Sequence, residues 1–177
     1  MNKCTVIIGF TFLILISCKA YKKTLTKRHT KHTKNTKKEI HNLLNSWHKD
    51  AEDANYAAYF NKMDSTAIFI GTDVSENWKK KQFEKFSKPY FEKGKAWIFT
   101  PLERSIYIDK TNSFAWFDEL LNTWMGICRG SGVLERNNNH WKIKHYVLSV
   151  TIPNDHIQKV IHVKKINDSL FISKNNY

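Results

Sequence analysis

From residue 39 onward the apolar positions change rhythm once, from a three-and-four spacing to strict alternation. Ile40, Leu43, Leu44, Trp47, Ala51, Ala54 and Ala58 recur every three or four residues, with His41, Lys49, Asp50 and Asp53 between them. That pattern predicts a helix over 39–60, buried on one face. Asn55-Tyr56 is a candidate start for a separate turn, because Tyr59, Phe60 and Met63 shift the stripe. A short apolar strand is expected over 67–70, then a second amphipathic helix over 78–92 with Phe83, Phe86 and Phe91 inward. Pro89 should end or kink that helix, and Gly94 is a natural stop. Alternation then predicts strands over 97–108, 114–121, 128–136 and 141–151. Turn clusters at Asp109-Lys110-Thr111-Asn112, Met125-Gly126 and Asn137-Asn138-Asn139 separate them. Helices followed by an antiparallel meander give an α+β domain, with helices on one face of a curved sheet. Beyond Pro153, residues 156–165 read as a helix and 169–173 as a last strand.

The amino terminus has a different pattern. After Met1-Asn2-Lys3, residues 5–16 are apolar apart from two threonines and Gly9, too short a run to span a bilayer. It closes on Leu15-Ile16-Ser17-Cys18, which resembles the lipobox of bacterial lipoproteins. The resemblance implies a signal peptide over 1–17, lipidation at Cys18, and anchoring in the cell envelope on the periplasmic or surface face of a membrane. Each buried acyl methylene contributes roughly 0.8 kcal/mol to such an anchor.

Charge changes the picture only through its distribution. The chain has 29 Lys+Arg against 16 Asp+Glu, a net of +13 that first suggests a nucleic-acid partner. Residues 19–38 hold nine of those cations and no acid, and Lys3 belongs to the signal. The remaining 19 cations and all 16 acids lie from Glu39 on, a net of +3. The positive charge therefore belongs to a tether over 18–38, too poor in apolar residues to order itself and suited to anionic headgroups. Nucleic acid is not expected as a partner. His29 and His32 lie on that tether without carboxylate or thiolate partners, so no metal site is expected. With Cys4 in the signal and Cys18 lipidated, Cys128 is left alone and no internal disulfide can form.

The last strand carries the best clue to family. Trp141-Lys-Ile-Lys-His-Tyr-Val-Leu-Ser149 alternates so that Trp141, Ile143, His145, Val147 and Ser149 share one face, taken as the inner one. This W-K-I-x-H-x-x-x-S strand resembles the SnoaL-like branch of the nuclear transport factor 2 superfamily. So do the segments 97–104, 115–126 and Cys128-Arg-Gly-Ser-Gly132. The resemblance spans roughly residues 39–153, leaving 154–177 as a C-terminal extension. It implies a cone-shaped curved antiparallel sheet wrapped around the N-terminal helices, with a pocket at the wide end.

On strand 114–121, Phe114, Trp116, Asp118 and Leu120 share one face, and Phe117, Glu119 and Leu121 share the other. The first is expected to face inward, as an aromatic wall with one carboxylate. The expected pocket is Trp78, Trp116, Asp118, Arg129, His145 and Ser149, with Arg129 placed to meet either acid. Asp118 and His145 are the candidate catalytic pair, with Tyr146 the alternative donor, since catalytic relatives use a pocket aspartate and a hydrogen-bond donor for proton transfer beside a carbonyl. As a buried polar residue, His145 reads as a hydrogen-bonded core histidine rather than a base. No cofactor is expected. The expected function is binding of a small apolar or amphipathic ligand in the cone pocket without catalysis; the alternatives are a cyclase or isomerase acting through Asp118 and a homodimerising interaction module.

Overall fold

The computed structural model of the chain describes residues 33–175. The signal-like segment, Cys18, His29 and His32 lie outside them. Helix α1 occupies residues 33–52. Its first six residues fall in the segment expected to be a disordered tether. Thr36 explains the difference, because it is buried with Ile40, Leu44, Trp47 and Ala51 and extends their row by one turn. The helix ends where Ala54 takes a φ of 54°. Asn55 then caps α2 (Tyr56–Asn61), its side-chain oxygen accepting the Ala58 N–H at 3.3 Å.

Strand β1 (Met63–Ile70) leads through the short β2 (Asn77–Lys79) into α3 (Lys80–Glu92). Pro89 lies inside α3 without ending it, at the cost of the one backbone hydrogen bond its missing N–H would have made. Gly94, at φ 83°, makes the stop. Strand β3 (Thr100–Ile108) begins three residues later than the alternation predicts. Trp97 and Phe99 pack inward instead, with rings 5.5 Å from Tyr59 and 6.0 Å from His48.

Strands β4 (Phe114–Thr123), β5 (Gly126–Asn137) and β6 (His140–Val150) complete an antiparallel meander. The β5–β6 hairpin turns on Asn138 and Asn139, both with positive φ, as a two-residue turn matched to strand twist requires. The sheet order is β2-β1-β6-β5-β4-β3. One pairing is parallel, β1 with β6, so the sheet is mixed at that junction. The concave side takes Phe117 and Leu121 of β4, Leu134 of β5, and Trp141, Ile143 and Tyr146 of β6 against Ile40, Leu44 and Trp47 of α1. Among the described residues the buried hydrophobic core lies between Ile40 and Leu148.

After a 3-10 turn (Asn154–His156), α4 (Ile157–Asn175) runs as one helix where a helix and a strand were expected. No residue of α4 is buried. A strand there would leave its amides without a partner, whereas a helix satisfies them internally. No helix among the described residues is long and apolar enough to cross a membrane.

Candidate functional site

The decisive local fact is which face of β4 turns inward. Ala115, Phe117, Glu119 and Leu121 are buried; Phe114 and Trp116 are exposed and Asp118 is half-buried. The expected face is therefore the outer one. Apolar residues on both sides of this strand left alternation unable to choose. The glycines on β5 carried the missing signal. Gly130 and Gly132 stand opposite Glu119 and Phe117. A Cβ at Gly130 would lie 2.3 Å from the Tyr146 hydroxyl, and one at Gly132 would lie 2.5 Å from the His145 carbonyl oxygen. Two glycines on one strand face mark the side where neighbouring side chains need room.

That room holds a buried polar quartet. Glu119 is 2% exposed. Its Oε1 accepts from Tyr146 Oη at 3.1 Å and faces His48 Nε2 at 2.9 Å; an ionised carboxylate only accepts, so His48 donates there. Its Oε2 accepts from Arg104 Nε at 2.8 Å, and Nη2 lies 2.7 Å away as an ionic contact without good hydrogen-bond direction. The Arg104 side chain is 1% exposed. Its Nη1 donates to Asn45 Oδ1 at 2.7 Å and to the His41 carbonyl at 3.3 Å. The quartet thus ties α1 to β3, β4 and β6.

Electrostatics follow from this geometry. Burial alone would raise the Glu119 pKa, but the His48 hydrogen bond and the charges of His48 and Arg104 outweigh it, and the carboxyl is held below its ordinary value. Tyr146 is pushed well above 10, first by burial and then by the Glu119 charge, so it stays a donor. His41 is lowered by burial and by Arg104. A general base needs a raised pKa and a free lone pair. Glu119 has a lowered one, and each oxygen already faces two donors.

The expected site residues are not brought together. Across the outer face, Tyr107, Trp116, Val133 and His145 form one cross-strand row, and Ser105, Asp118, Ser131 and Val147 form the next. Asp118 and His145 thus sit in different rows on strands two apart, about 10 Å by sheet spacing alone. Arg129 is exposed in a third row with Leu120 and Ser149 and, among the described residues, has no carboxylate in ion-pair reach; Arg104 takes the place expected for it beside Glu119. His145 and Ser149 point outward because β6 carries a bulge. Ile143 pairs with Leu134 and His145 with Val133, which leaves Lys144 as the extra residue. The bulge reverses the alternation, so Trp141 and Ile143 are inside and Tyr146 and Leu148 continue that face. Trp78 lies elsewhere, stacked 4.4 Å from Phe86 and 5.5 Å from Phe83. Cys128 is buried and free. Among the described residues no group of three or more His, Cys, Asp or Glu is placed to hold a metal ion.

A curved mixed sheet closed over α1, with charged groups sealed in the concavity, defines an α+β cone of the nuclear transport factor 2 type. The chain belongs to the SnoaL-like domain family, whose model matches residues 40–153. Among solved structures it is similar to an NTF2-like protein of unknown function from Pseudomonas putida, at 12% identity and a TM-score of 0.56, covering 67% of this chain and 88% of that one. It is also similar to a protein of unknown function with a cystatin-like fold from Nostoc punctiforme, at 13% identity and a TM-score of 0.55, covering 65% and 90%. A third is the association domain of C. elegans CaMKII, at 14% identity and a TM-score of 0.54, covering 66% and 97%. At these identities the likeness is one of fold. No functionally curated protein matches the chain by sequence.

Proposed function

We propose that this chain is a lipid-anchored protein of the bacterial cell envelope whose SnoaL-like domain associates with a second copy through the outer face of its sheet, without catalysing proton transfer. The observation that carries the reading is the outer face itself. Tyr107 and Trp116 stack there at 5.8 Å, with Phe114 and Ile127 also exposed. Trp116 is 48% exposed, unusual for the largest apolar side chain. Asp118 and Arg129 lie diagonally on the same face, with no ion pair to either among the described residues. A two-fold axis through the patch would set each against the other's counterpart, as an isologous interface requires. The likeness to an association domain supports the same reading. The anchor rests on Leu15-Ile16-Ser17-Cys18.

Light scattering on residues 33–177, which contain the whole core, tests the association. A dimer is expected, and Trp116→Lys should weaken it by at least about 2 kcal/mol, a typical loss at an interface anchor. A wild-type monomer at all accessible concentrations overturns it. For the anchor, Cys18→Ala should release the full chain from membranes washed at high salt, which screens headgroup contacts; retention in the washed membrane fraction refutes it.

One observation favours a second reading, a small apolar or amphipathic ligand. A cleft of about 450 Å³ is lined by Ala96, Trp97, Ile98, Thr100, Asn122 and Trp124. Trp124 is 84% exposed at its rim. Mass spectrometry of molecules co-purifying with the native protein tests this, and Trp124→Ala should lose them.

A further inference from the structure

Lys34, Lys37, Lys38 and His41 stand at i, i+3, i+4 and i+7 of α1, so one face of its first described turns is a row of basic side chains. Like charges at these spacings repel and weaken a helix. Among the described residues none of the three lysines has a carboxylate within ion-pair reach. The Lys37 ammonium instead lies 6.0 Å over the Tyr107 ring. The row forms one wall of a groove of about 600 Å³, and Arg104, Ser105, Ile106 and Tyr107 of β3 form the other. Among the described residues no carboxylate lines it. Because β3 is an edge of the sheet, alternate backbone N–H groups along that wall have no strand partner. Ser105 and Tyr107 add hydroxyl donors. The groove thus joins ammonium groups, amides and hydroxyls around an open space, the donor set that suits a phosphate.

We propose that this groove binds the phosphate headgroup of an anionic membrane lipid. The choice of a lipid over a soluble phosphate rests on the envelope reading. Thr33, where the described helix begins, is 15 residues from Cys18, a leash of at most about 50 Å. The lysine row adjoins the end of the domain at which that leash attaches, and the leash is long enough for the row to reach the headgroups. Tyr107 borders both the groove and the outer patch, so the two surfaces meet at the β3 edge.

The test uses residues 33–177 without the anchor, since the core lies within 40–148. Sedimentation with phosphatidylcholine vesicles is compared with vesicles that also contain phosphatidylglycerol. Binding only to the second set is expected. Lys34→Gln/Lys37→Gln/Lys38→Gln should lower it on the order of 100-fold, as three near-surface lysines imply. The same charge change at the exposed Lys85, Lys88 and Lys93 should leave it largely intact. Equal loss in both triple variants overturns the groove in favour of diffuse charge. Equal binding to phosphatidylcholine alone overturns it in favour of apolar contact. Soluble glycerophosphate that binds the groove while vesicles do not overturns the lipid assignment, as does tighter binding of duplex DNA than of vesicles. Failure of Cys18→Ala to release the full chain would sink the anchor and leave this measurement standing.

Discussion

Removing the Glu119 carboxylate is the most direct way to ask what the buried quartet does. In Glu119→Ala the Arg104 guanidinium stays in place, 1% exposed and stripped of its only carboxylate contact. Tyr146 and His48 lose the acceptor they share. Breaking a buried ion pair from one side costs about 3–5 kcal/mol, because the remaining charge is left uncompensated. For a domain of this size each kcal/mol lowers Tm by roughly 3 °C, so a fall of about 10–15 °C is expected. Thermal melts of residues 33–177 followed by circular dichroism would read it. Glu119→Met combined with Arg104→Met supplies the control, since replacing both charges by apolar groups should recover most of the loss. The pH dependence has a definite sign. Glu119 has a depressed pKa in the folded state. Its contribution is therefore fully present above the ordinary glutamate pKa and is lost as pH falls through the lower folded value. The difference in Tm between wild type and Glu119→Ala should hold steady from neutral pH down to about 5 and shrink below about 4. If Glu119→Ala melts within about 3 °C of wild type at neutral pH, the quartet does not hold α1 to the sheet and the reasoning is wrong.

Other expectations follow from single contacts. Gly130→Ala places a methyl group 2.3 Å from the Tyr146 hydroxyl and 3.0 Å from Glu119, and should cost about 1–3 kcal/mol in urea denaturation. Unchanged stability would mean the inner face is looser than the geometry requires. Ending the chain after Pro153 removes α4, which buries nothing, and should leave Tm within about 2 °C. A large drop would reveal a packed role for that helix. Asp118→Asn, on the outer face, should leave Tm within about 2 °C at neutral pH.

The helices, the four-strand meander and the turns were legible because their signals are local. Periodicity fixes an element from a dozen neighbouring residues, and Asn138-Asn139 announces its own hairpin. The site was much less legible. Choosing a face of β4 required knowing which side α1 covers, and Phe114 with Trp116 looks as apolar as Phe117 with Leu121. The β6 bulge at Lys144 is a pairing event between two strands, so alternation carried His145 and Ser149 to the wrong side. His48 and Arg104 come from elements 56 residues apart and meet only over Glu119. His48 did leave a trace, falling four residues after Leu44 on the apolar stripe of α1.

The parallel pairing of β1 with β6 has a consequence for how the domain comes into being. The strand formed first along the chain lies in the middle of the finished sheet, beside the last. Phe69 finds early cover from Phe83 of α3, but β1 gains its parallel partner only when residues 140–150 arrive. The stripe of α1 waits equally long for Trp141, Ile143 and Tyr146. Partial assemblies therefore gain little, and such distant contacts slow folding. The domain assembles late, as one cooperative event, and an emerging chain stays threadable until nearly all of it has been delivered.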